Sequence, residues 1–148
     1  MREVYDGVRK QWVSATPEEI VRQTWLKKMV ETLGYPKEFF AVEKELRSLP
    51  HLQSSSDRIP DRRADIIFFA PDAHPEYSLF PLLMIECKAV KLNGQALQQV
   101  LGYNTFVKAL YVAVVSQDEV LFRHGDKELA FMPSYLEIRK RFYTNPNK

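Results

Sequence analysis

Four consecutive apolar residues, Leu82 to Ile85, lead directly into Glu86, Cys87 and Lys88. Within the segment Leu79 to Val90, this pattern predicts a strand buried in a core. Because side chains alternate along a strand, Glu86 and Lys88 should share one face while Cys87 points to the other. Charges at the end of a buried strand cost free energy unless they are paired or bind a metal. The fold must therefore supply a partner for these charges.

The remaining hydrophobic pattern predicts an α/β fold. Thr16-Pro17-Glu18-Glu19 forms a capping box that begins a helix, and Gly34 ends it. A second helix follows Asn93-Gly94, and the turn-rich connector Pro71 to Glu76 favours an antiparallel hairpin between the strands that it joins. The order is helix, three strands, helix, one or two strands and helix, which gives a mixed central sheet flanked by helices. The other elements are predicted at Phe39 to Leu46, Arg62 to Phe69, Leu110 to Val115, Val120 to Phe122 and Ser134 to Tyr143.

Length and composition restrict the class of protein. The 148 residues fit a single domain spanning 1–148, and a net charge of +2 is too small to indicate nucleic-acid binding by itself. The single cysteine excludes an internal disulfide framework and fits the cytoplasm, and no apolar segment is long enough for a membrane. The chain lacks the glycine-rich phosphate-binding motif of NTP-driven motors, and its three histidines lack the spacing of a zinc site.

Asp65 lies on the strand that precedes Glu86 and Lys88, so a hairpin can bring the two carboxylates together. Such a pair suits Mg²⁺, which takes oxygen ligands and needs only one or two protein carboxylates. The backbone carbonyl of Cys87 is a candidate third ligand. Lys88 would then orient or deprotonate a water, or neutralise charge on a phosphate. The alternative from the same residues is a structural ion pair in an ordinary α/β domain.

Polar residues near this strand end extend the candidate site. Gln99 and Tyr103 lie one above the other on the second helix, where they could reach a phosphate, a metal-bound water or a base. Equally, Gln99 could be solvent-facing and Tyr103 a core aromatic. Arg62, Arg63 and Lys91 flank the carboxylates and are candidate phosphate contacts.

The motifs together resemble the PD-(D/E)xK nuclease superfamily, in the subgroup with a Gln-x-x-x-Tyr motif. The closer resemblance is to the N-terminal domain of the R subunit of type I restriction enzymes and to its stand-alone forms. It runs from about Val8 to about Val115. The segments that carry it are Val8 to Val13, Thr16 to Gln23, Leu33 to Pro36, Arg62 to Ile66, Ile85 to Ala89 and Gln99 to Asn104.

This resemblance implies a restriction-endonuclease-like core of order α-β-β-β-α-β that cleaves DNA phosphodiester bonds with Mg²⁺, with Mn²⁺ as a substitute. Asp65 and Glu86 would be the metal-binding carboxylates and Lys88 the catalytic lysine. Gln99 and Tyr103 would form the motif on the second helix. A glutamate on the first helix is common in the superfamily, and Glu19 is the candidate, although its capping role explains it equally well.

Two departures from the pattern keep a second function open. Ala64 stands where superfamily members often have proline, and the chain has no motor of the kind to which R subunits couple their nuclease. The chain would either cleave DNA alone or serve other restriction or DNA-processing subunits. The alternative is a non-catalytic module that keeps the nuclease fold and binds DNA or a protein partner. The sequence predicts no oligomeric state.

Overall fold

The computed structural model describes residues 2–53, 58–74 and 77–144. It confirms a mixed α/β architecture with a six-stranded sheet and helices. The strands are β1 (Glu3–Asp6), β2 (Gln11–Ser14), β3 (Phe40–Glu45), β4 (Arg63–His74), β5 (Tyr77–Cys87), β6 (Tyr111–Val115), β7 (Val120–His124) and β8 (Lys127–Leu129). The helices are α1 (Pro17–Glu31), α2 (Gly94–Val107) and α3 (Tyr135–Thr144), with short 3₁₀ turns at Lys37–Phe39 and Leu46–Ser48. None of the helices in these ranges is long and apolar enough to cross a membrane.

The main sheet has the strand order β3-β4-β5-β6-β7-β8. Strands β3, β4 and β5 are antiparallel, as the short connector indicated, whereas β6 runs parallel to β5 after the crossover through α2. The predicted turn from Pro71 to Glu76 is wrong in its first part, because β4 continues to His74 and Pro71 pairs with Leu79. Residues 75 and 76 lie outside the described ranges. The hairpin of β1 and β2 was not predicted, since each of its strands is only four residues long.

Two apolar layers cover the two faces of this sheet. Val21, Trp25 and Met29 of α1 pack on one face, where Ile138 of α3 joins them. Leu97, Val100 and Val107 of α2 pack on the other face. Strand β5 contributes to both layers and is therefore buried on both sides, as its continuous apolar run predicted. The carboxyl end of β5 consequently lies between α1 and α2.

Local sequence signals set the two helices beside this strand end. Thr16 caps α1 by accepting a hydrogen bond from the Glu19 amide at 3.1 Å, with Pro17 in the first turn. Asn93 caps α2 in the same way through the Ala96 amide at 3.0 Å. Beyond α1, Gly34 adopts a φ of +80°, which glycine tolerates without strain. The capping residues therefore determine where both helices begin.

Candidate functional site

A cleft of about 530 Å³ opens at the carboxyl end of β5. It brings together Asp65, Glu86 and Lys88, the three residues that the sequence placed at its centre. Strand β5 ends at Cys87 rather than at Val90, and the Lys88 amide still donates to the Val115 carbonyl at 2.8 Å. The full lining consists of Glu18, Glu45, Asp61, Arg62, Arg63, Asp65, Glu86 and Lys88.

The register of the β4–β5 hairpin explains why the two carboxylates meet. Ile66 pairs with Ile85, so the next residues outward, Asp65 and Glu86, are direct neighbours across the ladder. Each carboxyl group is therefore close enough to shift the pKa of the other.

The two carboxyl groups differ in their surroundings. Burial raises the pKa of Glu86 to about 8, and the neighbouring Asp65 adds to the shift, while Arg62 and Lys88 oppose it. Burial also acts to raise the pKa of Asp65, but the contact with Glu86 and the hydrogen bonds from the Cys87 amide and Arg22 outweigh it and lower this pKa. The Cys87 amide donates to Asp65 Oδ2 at 2.8 Å. The surroundings therefore favour the ionised form of Asp65 and the protonated form of Glu86.

Arg22 on α1 is the main partner of Asp65 and was not foreseen. Its Nη2 lies 2.7 Å from Asp65 Oδ1 and 2.7 Å from Glu43 Oε1, and its Nη1 lies 2.6 Å from Glu19 Oε1. Burial alone would lower the pKa of Arg22, but these carboxylates raise it above its ordinary value. The available signal was its spacing, because Arg22 precedes Trp25 and Met29 by three and seven positions and so lies on the buried face of α1.

Glu43 reaches Arg22 from an interruption in the edge strand β3. Val42 pairs with Ile66 and Lys44 with Ala64, while Glu43 between them has a φ of +55°. A residue with a Cβ atom rarely adopts this left-handed conformation, so local strain is held at the site. No sequence pattern indicated it.

Glu19 combines a cap with an ion-pair role but lies outside the cleft. Its carboxylate accepts from Arg22, from Arg9 Nη2 at 2.8 Å and from Gln23 Nε2 at 3.0 Å. The reciprocal half of the predicted capping box is absent, because the Thr16 amide donates to the Ser14 carbonyl instead. Arg9 in turn contacts Asp6 of the β1–β2 hairpin at 2.6 Å. Glu19 thus links the hairpin to Arg22.

Arg62 is the partner of Glu86 on the opposite side. Its Nη2 lies 3.0 Å from Glu86 Oε2, and its guanidinium carbon lies 3.8 Å from the centre of the Tyr103 ring. Tyr103 is half-buried and packs against the apolar layer of α2. Tyr103 is therefore linked to the carboxylate pair by its cation–π contact with Arg62.

The remaining predicted contacts lie at the rim. Gln99 is exposed and lines a smaller concavity of about 220 Å³ together with Lys88 and Lys91. Arg63 is also exposed and lies 3.7 Å from Glu45. No carboxylate forms a salt bridge with Lys88 within residues 2–53, 58–74 and 77–144, so its ammonium is available to a ligand in the cleft.

The donor set of the centre consists of oxygen atoms. Within the described ranges, no group of three or more His, Cys, Asp and Glu side chains could hold a metal, so Asp65 and Glu86 stand as a pair. The Cys87 thiol is fully buried in the apolar layer beneath α1, and burial raises its pKa well above the ordinary value. Its backbone carbonyl is therefore the group of Cys87 that is suited to a hard cation.

Comparison with known proteins gives one finding. The family model described as the type I restriction enzyme R protein N terminus (HSDR_N) matches residues 17–135, from the start of α1 to the start of α3. No curated protein and no solved structure matches the chain. The family match spans well over half of the 148 residues and includes Arg22, Asp65, Glu86 and Lys88. The chain therefore belongs to the family of type I restriction enzyme R protein N-terminal domains.

Proposed function

We propose that this chain is a Mg²⁺-dependent deoxyribonuclease domain of the PD-(D/E)xK type that hydrolyses DNA phosphodiester bonds. The observation that carries the proposal is the contact of Asp65 with Glu86 beside Lys88 in an open, charged cleft. The order α1-β3-β4-β5-α2-β6 supports a restriction-endonuclease-like core, since it repeats the α-β-β-β-α-β order of that fold. Restriction-related family membership supports DNA as the substrate and other restriction subunits as partners.

The residues of the centre fit Mg²⁺, with Mn²⁺ as a substitute. Asp65 and Glu86 offer carboxylate oxygens and Cys87 a backbone carbonyl, which are the hard ligands that this cation prefers. The neighbouring Asp65 helps to raise the pKa of Glu86, and a cation bound between the two carboxyl groups would relieve this repulsion. When bound, Mg²⁺ would polarise the phosphodiester and lower the pKa of the attacking water.

The side chains of this chain have separable roles in the proposed reaction. Arg22 keeps Asp65 ionised and fixes one of its oxygens, so it is a positioning residue. Lys88 lies at the junction of the two concavities, where it can hold or accept a proton of the attacking water or neutralise charge on the phosphate. Arg63, Lys91 and Gln99 line the rim and are suited to contact DNA phosphates.

One observation favours a second candidate, a non-catalytic module that binds DNA or a protein partner. Each carboxylate already has an arginine partner, Arg22 on Asp65 and Arg62 on Glu86. If these pairs persist in all states, the site is a structural ion-pair cluster beneath a basic rim. Such a module would retard DNA on a gel in EDTA and leave it intact in Mg²⁺.

Plasmid cleavage in Mg²⁺ and Mn²⁺ tests the primary proposal. We expect wild type to nick or cut DNA, and Asp65→Asn, Glu86→Gln and Lys88→Met to lose at least about 100-fold in rate, as expected on removal of acid–base or charge-stabilising groups. Glu45→Gln is the matched control, because it removes a carboxylate from the same cleft but not from the pair.

Two results would contradict the nuclease proposal. One is wild-type protein that leaves plasmid and single-stranded DNA intact in both cations and binds no Mn²⁺ by calorimetry. The other is an equal loss of cleavage in Glu45→Gln and Glu86→Gln, which would remove the special role of the pair. Melting temperatures of all variants, measured by circular dichroism, identify any loss caused by unfolding.

A further inference from the structure

We propose that Arg62 is an exchangeable partner of Glu86, which leaves this carboxyl group for a DNA phosphate and so couples DNA binding to metal binding. The proposal rests on the proposed nuclease function, because it assumes that Glu86 is a metal ligand. It assigns Arg62 and Tyr103 a joint role that neither has as a simple phosphate contact.

The contacts of Arg62 are those of a side chain that can move. It makes a single salt bridge, to Glu86 at 3.0 Å, and its side chain is 32% exposed. Its Nε is buried and lacks a hydrogen-bond partner among the described residues. The flat face of Tyr103, 3.8 Å away, supports the guanidinium without fixing its direction. Arg62 can therefore turn on the ring while donors remain free for another acceptor.

Arg62 and a cation compete for the same carboxylate. Glu86 is almost fully buried, and the guanidinium occupies Oε2, so a cation at Glu86 would meet a like charge at close range. A DNA phosphate offers the guanidinium a planar, doubly hydrogen-bonded alternative. A phosphate that binds Arg62 therefore leaves Glu86 open to a cation. By thermodynamic linkage, the factor by which DNA increases metal affinity equals the factor by which metal increases DNA affinity.

Tyr103 separates this proposal from simple electrostatics. Removing the Arg62 charge would tighten cation binding by any mechanism, since a nearby positive charge disappears. Removing the Tyr103 ring changes no charge, yet it withdraws the support that holds Arg62 against Glu86. An effect of Tyr103 on metal affinity therefore reports the exchange itself.

Calorimetry with Ca²⁺ tests the exchange, and gels confirm that added DNA stays intact. We expect Arg62→Gln and Tyr103→Leu to bind Ca²⁺ on the order of tenfold more tightly than wild type, within the usual range of coupling between sites. Tyr103→Phe keeps the ring face that supports Arg62, so its Ca²⁺ affinity should equal that of wild type. A short DNA duplex should tighten Ca²⁺ binding on the order of tenfold more in wild type than in Arg62→Gln.

The possible failures are distinguishable. Ca²⁺ binding that tightens in Arg62→Gln but not in Tyr103→Leu overturns the exchange and leaves the nuclease proposal standing. If no variant binds Ca²⁺ or Mn²⁺, the nuclease proposal fails. Nitrogen NMR of the Arg62 side chain in EDTA then tests whether Arg62 still exchanges from Glu86 to DNA. A shift of the Arg62 Nε signal on adding duplex supports release from Glu86, and an unchanged signal overturns it.

Discussion

Arg22 and Arg62 hold the two members of one carboxylate pair in different surroundings. The Arg22 side chain is 6% exposed and contacts three carboxylates, whereas the Arg62 side chain is 32% exposed and contacts one. The inner arginine is fixed by α1, β3 and β4 together. The outer arginine rests on one aromatic ring. The difference indicates that Asp65 is held rigidly while Glu86 is free to change partners.

Replacement of each arginine in turn tests whether the surroundings of Asp65 and Glu86 differ in rigidity. Arg22→Met leaves three carboxylates without their shared cation in a buried setting, so we expect the free energy of unfolding to fall by about 3–5 kcal/mol. Arg62→Met loses one partly exposed pair and should cost no more than about 1 kcal/mol. Urea unfolding in EDTA measures both. Similar losses of unfolding free energy in the two variants would show that Arg22 and Arg62 contribute equally to stability.

A second experiment asks how far the rigid side extends. Arg9 joins Asp6 of the β1–β2 hairpin to Glu19, at 2.6 and 2.8 Å. Arg9→Met removes hydrogen bonds between charged groups, so we expect a loss of about 1.5–3 kcal/mol by urea unfolding. Lys10→Met, in the exposed turn of the same hairpin, is the matched control. If Arg9→Met lowers the free energy of unfolding no more than Lys10→Met does, the contacts of Arg9 with the hairpin do not contribute to the stability of the Arg22 cluster.

The pKa of Glu86 gives a prediction with a definite sign. Its folded value of about 8 exceeds the ordinary 4.5, so the folded state favours the protonated form. This contribution to stability is complete below pH 4.5 and is lost as the pH rises from 4.5 to about 8. We therefore expect Glu86→Gln to gain stability relative to wild type across this window in EDTA, measured by urea unfolding at several pH values.

His51 titrates in the same range but acts in the opposite direction. Burial lowers its pKa below 6.5, so its contribution to stability is lost as the pH falls. His51 is present in both proteins, and its effect therefore cancels in the difference between wild type and Glu86→Gln. A difference that stays constant from pH 4.5 to 8 would mean that Glu86 is ionised throughout the window.

Local signals predicted the helices and the central strands but not the β1–β2 hairpin, and long-range packing decided the ion pairs of the site. The capping sequence at Thr16 and the apolar run before Glu86 predicted α1 and β5, and the short connector predicted the antiparallel pairing that sets Asp65 beside Glu86. The Arg22 cluster was not predictable, because its partners come from separate elements and Glu43 adopts a strained conformation. Ion pairs between distant segments leave no periodic pattern in a sequence.

The smallest expected effect on stability concerns Arg63, on the outer rim. Its contact with Glu45 is long at 3.7 Å, and both side chains are more than half exposed, so Arg63→Gln should change the unfolding free energy by less than about 0.5 kcal/mol. If Arg63 contacts a DNA phosphate, the slope of log affinity against log salt should fall by about 0.9. Fluorescence anisotropy in EDTA at several salt concentrations measures this slope, with Arg123→Gln as the control, because Arg123 lies on β7 and does not line the cleft. An unchanged slope in Arg63→Gln would mean that DNA does not contact Arg63. The exchange of partners at the cleft would then involve Arg62 and Tyr103 without Arg63.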